Sequence, residues 1–211
     1  MRNRTLIREI QGGGIVPRRC VLLVVAALWS ASAMFGTAAP RTFDLRGTVS
    51  VGSRSEPDAV VWLDAPETDV PRSVQPVVLD QRNLSFFPRV LAVRVGTTVD
   101  LPNNDRVFHN VFSFHDGKRF DLGLYPVGMT KQVRFDKPGL SRIFCNIHPN
   151  MAAYVKAVDS PYFAVSDRDG RFTIGAVPEG TYDYHAWRPG RQDLTGSAAL
   201  NADSVLALRW R

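Results

Sequence analysis

The strongest constraint on this chain is the rhythm of its breakers. From residue 43 onward, Gly, Pro, Asn and Asp recur too often for a helix to develop, in "PNND", "KPG", "DRDG" and "PEG". Between them stand short runs rich in Val, Phe, Thr and Tyr: "FDLRGTVSV" (43–51), "AVVWLD" (59–64), "LAVRVGTTVDL" (91–101), "VFHNVFSF" (107–114), "TKQVRFD" (130–136), "GLSRIFC" (139–145), "AAYVKAV" (152–158), "GRFTIG" (170–175), "GTYDYHAW" (180–187) and "SVLALRW" (204–210). None shows a helical period, and β-branched and aromatic side chains suit a pleated, half-buried surface. The expected fold is all-β, built as sandwiches, because a sheet with one apolar face must bury it against another layer.

The first forty residues break this rhythm. Arg2, Arg4, Arg8, Arg18 and Arg19 form a basic stretch, Val21 to Trp29 is apolar, and small residues follow in "SASAMFGTAAP". This is the layout of a secretory signal peptide over residues 1–39, with cleavage after Ala33, Ala38 or Ala39, and it predicts a periplasmic protein. The apolar run is short for a transmembrane helix, so no membrane span is expected unless the leader is retained as an anchor. The arginine pair at 18–19 also fits a twin-arginine signal. The leader holds five arginines and one acid, Glu9, so the net charge of +6 falls to about +2 on its removal. No run of Lys or Arg remains, and no nucleic-acid partner is expected.

Export also governs the cysteines. There are two, Cys20 in the leader and Cys145. Without Cys20, Cys145 has no intramolecular disulfide partner in an oxidising compartment, so it is buried and inert, joined to another chain, or bound to something. It stands in "IFCNIHPNM" (143–151), with His148 and Met151 evenly spaced behind it. Thiolate, imidazole and thioether are the soft-to-borderline ligands that copper prefers. A Cys–His nucleophile pair would need an oxyanion hole and an orienting group, and only Asn146 and Asn150 are near. Structural zinc would favour two or more cysteines.

Upstream lies "NNDRVFHNVFSF" (103–114). Together with "FPRVLAVRVGTTVDLPNND" (87–105) and "FDKPGLSRIFCNIHPNM" (135–151), it resembles the cupredoxin family, the blue-copper proteins, and within it the amicyanin and plastocyanin branch. The resemblance covers roughly residues 84 to 157. It implies a Greek-key sandwich holding one type 1 copper ion through His109, Cys145 and His148, with Met151 as the weak axial ligand. It further implies that Asn110 holds the ligand loop and turns a backbone N–H toward the sulfur. Phe144, Pro149 and Met129 would form the apolar surround.

The flanking segments resemble something else. "RGTVSVGSRSEPDAVVWLD" (46–64) and "VSDRDGRFTIGAVPEGTYDYHAW" (165–187) are similar to the transthyretin-like modules of the carboxypeptidase regulatory-like class. The expected organisation is a leader (1–39), first strands of a split transthyretin-like module (43–66), a cupredoxin-like copper domain (74–158) and the remainder of the module (160–211). The alternative makes 43–64 the first strands of the middle sandwich.

The resemblance implies a non-enzymatic periplasmic protein that transfers single electrons. Resemblance to methylamine-utilisation proteins suggests a dehydrogenase donor and a c-type cytochrome acceptor as partners. A copper carrier or assembly factor, and a scaffolding or adhesion protein with a structural copper, are the rival roles. His115 is expected at the surface and His185 at an ordinary strand position. Tyr182, Tyr184, Trp187 and Trp210 are expected to pack in the core rather than form a carbohydrate platform.

Overall fold

The computed structural model describes residues 40–65, 76–114 and 117–211, and every regular element in them is a strand. The leader and His115 lie outside the described residues. In chain order the strands are β1 (Thr42–Val51), β2 (Arg54–Ser55), β3 (Val60–Leu63), β4 (Val77–Val78), β5 (Asp80–Arg82), β6 (Ser85–Phe87), β7 (Val90–Arg94), β8 (Thr97–Pro102) and β9 (His109–Ser113). They continue as β10 (Phe120–Tyr125), β11 (Thr130–Phe135), β12 (Gly139–Phe144), β13 (Ala152–Val158), β14 (Phe163–Val165), β15 (Arg171–Pro178), β16 (Gly180–Trp187), β17 (Leu194–Leu200) and β18 (Ser204–Trp210).

The middle of the chain makes one sandwich. A five-stranded sheet in the order β10-β9-β12-β13-β7 faces a three-stranded sheet in the order β11-β8-β4. Alternate residues of the strands meet between them: Val99 and Leu101 from β8, Val133 and Phe135 from β11, and Val111, Ile143 and Val155 from the larger sheet. The run "LAVRVGTTVDL" is two strands, because Gly96, at φ +87°, turns the chain between β7 and β8.

The flanks make a second sandwich. β1 pairs with β15 and runs parallel to β18, while β3 pairs with β14 and β16. Among the described residues the pairings of β1 and β3 go to each other's flanking segments and not to β4–β13. The core between these sheets holds Leu45, Val61, Leu63, Phe172, Ile174, Leu208 and Trp210. Gly47 sits where β1, β15 and β18 crowd together: a Cβ there would meet the Leu206 carbonyl oxygen at 2.3 Å and the Phe172 ring at 2.4 Å.

β3 explains why "AVVWLD" lacks alternation. Val61 and Leu63 face the second core, while Val60 and Trp62 face outward onto the middle sandwich. There Val60, Val90 and Trp187 form a buried seam, flanked by Tyr154, Leu140 and Val165. A strand covered on both faces has no reason to alternate. β13 serves both sides in the same way, with Ala153, Val155 and Ala157 in the core and Tyr154 at the seam.

Candidate metal centre

Two strand ends of the five-stranded sheet bring the site together. β12 and β13 are antiparallel with Phe144 opposite Ala152, so residues 145–151 form the connection that closes this hairpin. The loop is stapled by its own backbone. Cys145 N–H donates to the Met151 carbonyl (3.3 Å), and Met151 N–H donates to the His148 carbonyl (2.9 Å). β9 joins β12 with Phe112 opposite Phe144. Continuing that antiparallel register carries His109, at the start of β9, level with the loop.

The three side chains converge. His109 Nδ1 and His148 Nδ1 are 3.1 Å apart, and Cys145 Sγ lies 3.8 Å from the first and 3.6 Å from the second. His109 is fully buried, Cys145 nearly so, and His148 is half-exposed. Met151 is also fully buried in the same core, beneath the loop it helps close. The structure therefore brings His109, Cys145 and His148 to one point and seats Met151 in the adjoining core.

The spacing can be tested against a metal ion. A circle through three atoms with these separations has a radius of about 2.0 Å. Metal–nitrogen bonds are about 2.0–2.1 Å and metal–thiolate bonds about 2.3 Å, taking zinc as the yardstick. One ion in that triangle would reach all three donors with little movement. The donor set of two imidazoles and one thiolate suits a borderline-soft transition metal.

Asp105 gives the site a polarity that the sequence reading missed. Its Oδ2 lies 3.0 Å from His109 Nε2. An ionised carboxylate can only accept, so Nε2 carries the proton and Nδ1 presents its lone pair to the cluster. The same Oδ2 accepts the Leu84 N–H (2.7 Å), and Oδ1 accepts the Arg106 N–H (2.8 Å). Burial pushes this carboxyl up, but the N–H donors of Leu84 and Arg106 and the His109 ring outweigh it and hold it below the usual carboxylate value. The backbone N–H of Asp105 is itself held by Asn103 Oδ1 (3.1 Å). Asn103 is fully buried and donates to the carbonyls of Val107 and Tyr125. An acid four residues before a histidine in an Asn-rich loop was the available signal.

Several side chains stand elsewhere than expected. The Asn110 amide donates to Asp121 Oδ1 on β10 (2.6 Å), so its side chain ties β9 to β10 rather than holding the ligand loop. Met129 and Pro149 are exposed and Phe144 is half-buried, whereas Cys145 and Met151 belong to the buried core that also holds Val111, Tyr125 and Ile143. His185 is no ordinary strand position. It stacks on Trp62 at 5.0 Å, pairs with Asp64 at 2.8 Å, and Trp62 in turn carries Lys156 of the middle sandwich over its ring. Trp187 and Trp210 are buried, and Tyr182 and Tyr184 pack against the second core.

No family model matches the chain, and no curated protein matches it. Among solved structures it is similar to a purple cupredoxin from Nitrosopumilus maritimus at 26% identity, over 38% of this chain and 96% of that one, with a TM-score of 0.35. It is similar to a Cu-containing nitrite reductase from Thermus scotoductus SA-01 at 25% identity and TM-score 0.38, over 44% of this chain but only 25% of the reductase. It is also similar to amicyanin from Paracoccus versutus at 24% identity, over 43% of this chain and 86% of that one, with a TM-score of 0.37.

Proposed function

We propose that this chain is an exported type 1 copper protein that carries single electrons between periplasmic redox partners and transforms no substrate itself. One observation carries the reading: two imidazole Nδ1 atoms and a single buried thiol sulfur share a triangle of metal-bond dimensions. Cys145, His109 and His148 would hold the ion, with Met151 as the weak fourth ligand. Copper bound there would supply a one-electron couple near the surface of the sandwich.

The chain's own residues suit that task. Three of the four lie on one hairpin connection closed by backbone hydrogen bonds, and the fourth is fixed by the first residue of β9. Donors held this rigidly need not move when the charge at their centre changes by one. His148 is the ligand residue that reaches solvent, so a partner docking over the loop would meet its imidazole edge directly. A dehydrogenase donor and a c-type cytochrome acceptor are the partner classes proposed. The second sandwich, assembled from residues 42–63 and 163–210, is proposed as a transthyretin-like module into which the copper domain is inserted.

Voltammetry of the copper-loaded protein tests the role. Reversible one-electron cycling supports electron transfer. Irreversible waves, with rapid loss of Cu(I) to an acceptor protein, would replace this reading with that of a copper carrier.

A further inference from the structure

Asp105 is bonded more heavily than a loop residue needs to be. Its two oxygens accept the backbone N–H groups of Leu84 and Arg106 and face the ring N–H of His109, and its own N–H is tied to buried Asn103. The Leu84 bond reaches the tip of the β5–β6 hairpin, where Asn83 and Leu84 both stand at positive φ, +52° and +53°. The carboxylate is thus clamped from two loops, and its free direction points at the back of a buried imidazole.

We propose that Asp105 is a positioning residue for the metal centre: it locks His109 in the tautomer that offers Nδ1, and it sets one fixed negative charge behind that ligand. The inference rests on the copper reading for its effect on the ion. A carboxylate behind a ligating imidazole makes the imidazole a stronger donor. Its charge also favours the more positive of two oxidation states, because the attraction grows with the charge on the ion. The site should therefore hold Cu(II) more tightly relative to Cu(I) than the same ligands would without Asp105.

The test uses the mature protein and the variants Asp105→Asn and Asp105→Glu, read in two ways. In the metal-free protein, imidazole nitrogen NMR should show His109 protonated at Nε2, with the Nδ1–H form becoming populated in Asp105→Asn. In the copper-loaded protein, Asp105→Asn should keep the visible band. Its Cu(II)-to-Cu(I) affinity ratio should fall about tenfold, which raises the midpoint by about 59 mV for one electron. Asp105→Glu should recover part of that shift. A purely structural clamp would lower the melting temperature of both variants and leave the midpoint where it was, which would overturn the proposal. So would a metal-free wild type with His109 protonated at Nδ1. Failure of the wild type to take copper would instead sink the copper reading, and the NMR result would still decide the tautomer.

Discussion

His109 and His148 face each other through their Nδ1 atoms, 3.1 Å apart, with their rings inclined at 65°. His109 Nε2–H is committed to Asp105, so a proton shared across this gap must come from His148. The two imidazoles are therefore unequal. One is buried and locked, and the other is half-exposed and free to exchange a proton for an ion.

That inequality predicts different responses to truncation. His148→Gly should leave a solvent-accessible gap, and added imidazole at millimolar concentration should restore the visible band of the copper form. His109→Gly should open a gap sealed from solvent, which added imidazole does not fill. Titrating both copper-loaded variants with imidazole and recording the absorption spectrum checks this. Equal rescue would contradict the assignment of inner and outer ligands.

Met151 is fully buried, and its backbone closes the loop on both sides. Met151→Leu conserves volume and leaves those backbone bonds in place, so the cost in stability should stay under about 1.5 kcal/mol. On the proposed copper reading, an alkyl group in place of the thioether leaves the ion in a more apolar pocket, which costs the more highly charged Cu(II) most. The colour should persist and the reduction potential should rise, as voltammetry beside urea denaturation would show.

Tyr125 stands opposite His109 in the β9–β10 pairing, nearly inaccessible to solvent. Burial raises its phenol to about 12, against a partial offset from the Gln81 hydrogen bond and a smaller upward contribution from Cys145. An unfolded tyrosine ionises near pH 10, so the unfolded chain gives up this proton first as pH rises. The associated stability is complete below about pH 10 and is lost between about 10 and 12, amounting to about 2–3 kcal/mol. Burial also raises Tyr162 and Tyr182, which act in the same direction. Tyr125→Phe should flatten part of the alkaline fall in denaturation midpoint, although it should lower stability at neutral pH by leaving one Gln81 N–H without its acceptor while the amide keeps its bond to the Pro102 carbonyl.

The seam between the sandwiches rests on Trp187, which packs on Val60 and Val90 and stands 5.5 Å from the Tyr154 ring. Trp187→Ala should cost about 3–5 kcal/mol. Because the loss falls between two cores, calorimetry should show one unfolding transition for the parent and a broadened or split one for the variant. An unchanged, single transition would mean that the seam does not couple the two cores.

The sequence and the fold agree most closely where a strand has one buried face. "AAYVKAV" is β13 residue for residue, and "GLSRIFC" differs from β12 only by Cys145, which starts the loop. Strands whose inward face is made of small residues, or is interrupted, went unseen. β17, "LTGSAAL", is too rich in small residues to read as a strand, yet Gly196 is where the Tyr184 ring lies across it, and a Cβ there would meet the Tyr184 hydroxyl at 2.4 Å. β10 is interrupted by Gly123 at φ +63°, and the β5–β6 hairpin turns through Asn-Leu rather than the Asn-Gly that signals such a turn. At the site, local spacing exposed Cys145, His148 and Met151, since one loop carries all three. Asp105 was harder to see because its clamp depends on Leu84, twenty-one residues away, which reaches it only through the folded loops.

Everything proposed for the site turns on Cys145 Sγ binding copper beside His109 and His148. Adding Cu(II) to the mature protein and recording its visible spectrum tests it most directly. An intense blue band that Cys145→Ser abolishes is the predicted result. A band that survives Cys145→Ser unchanged would contradict it.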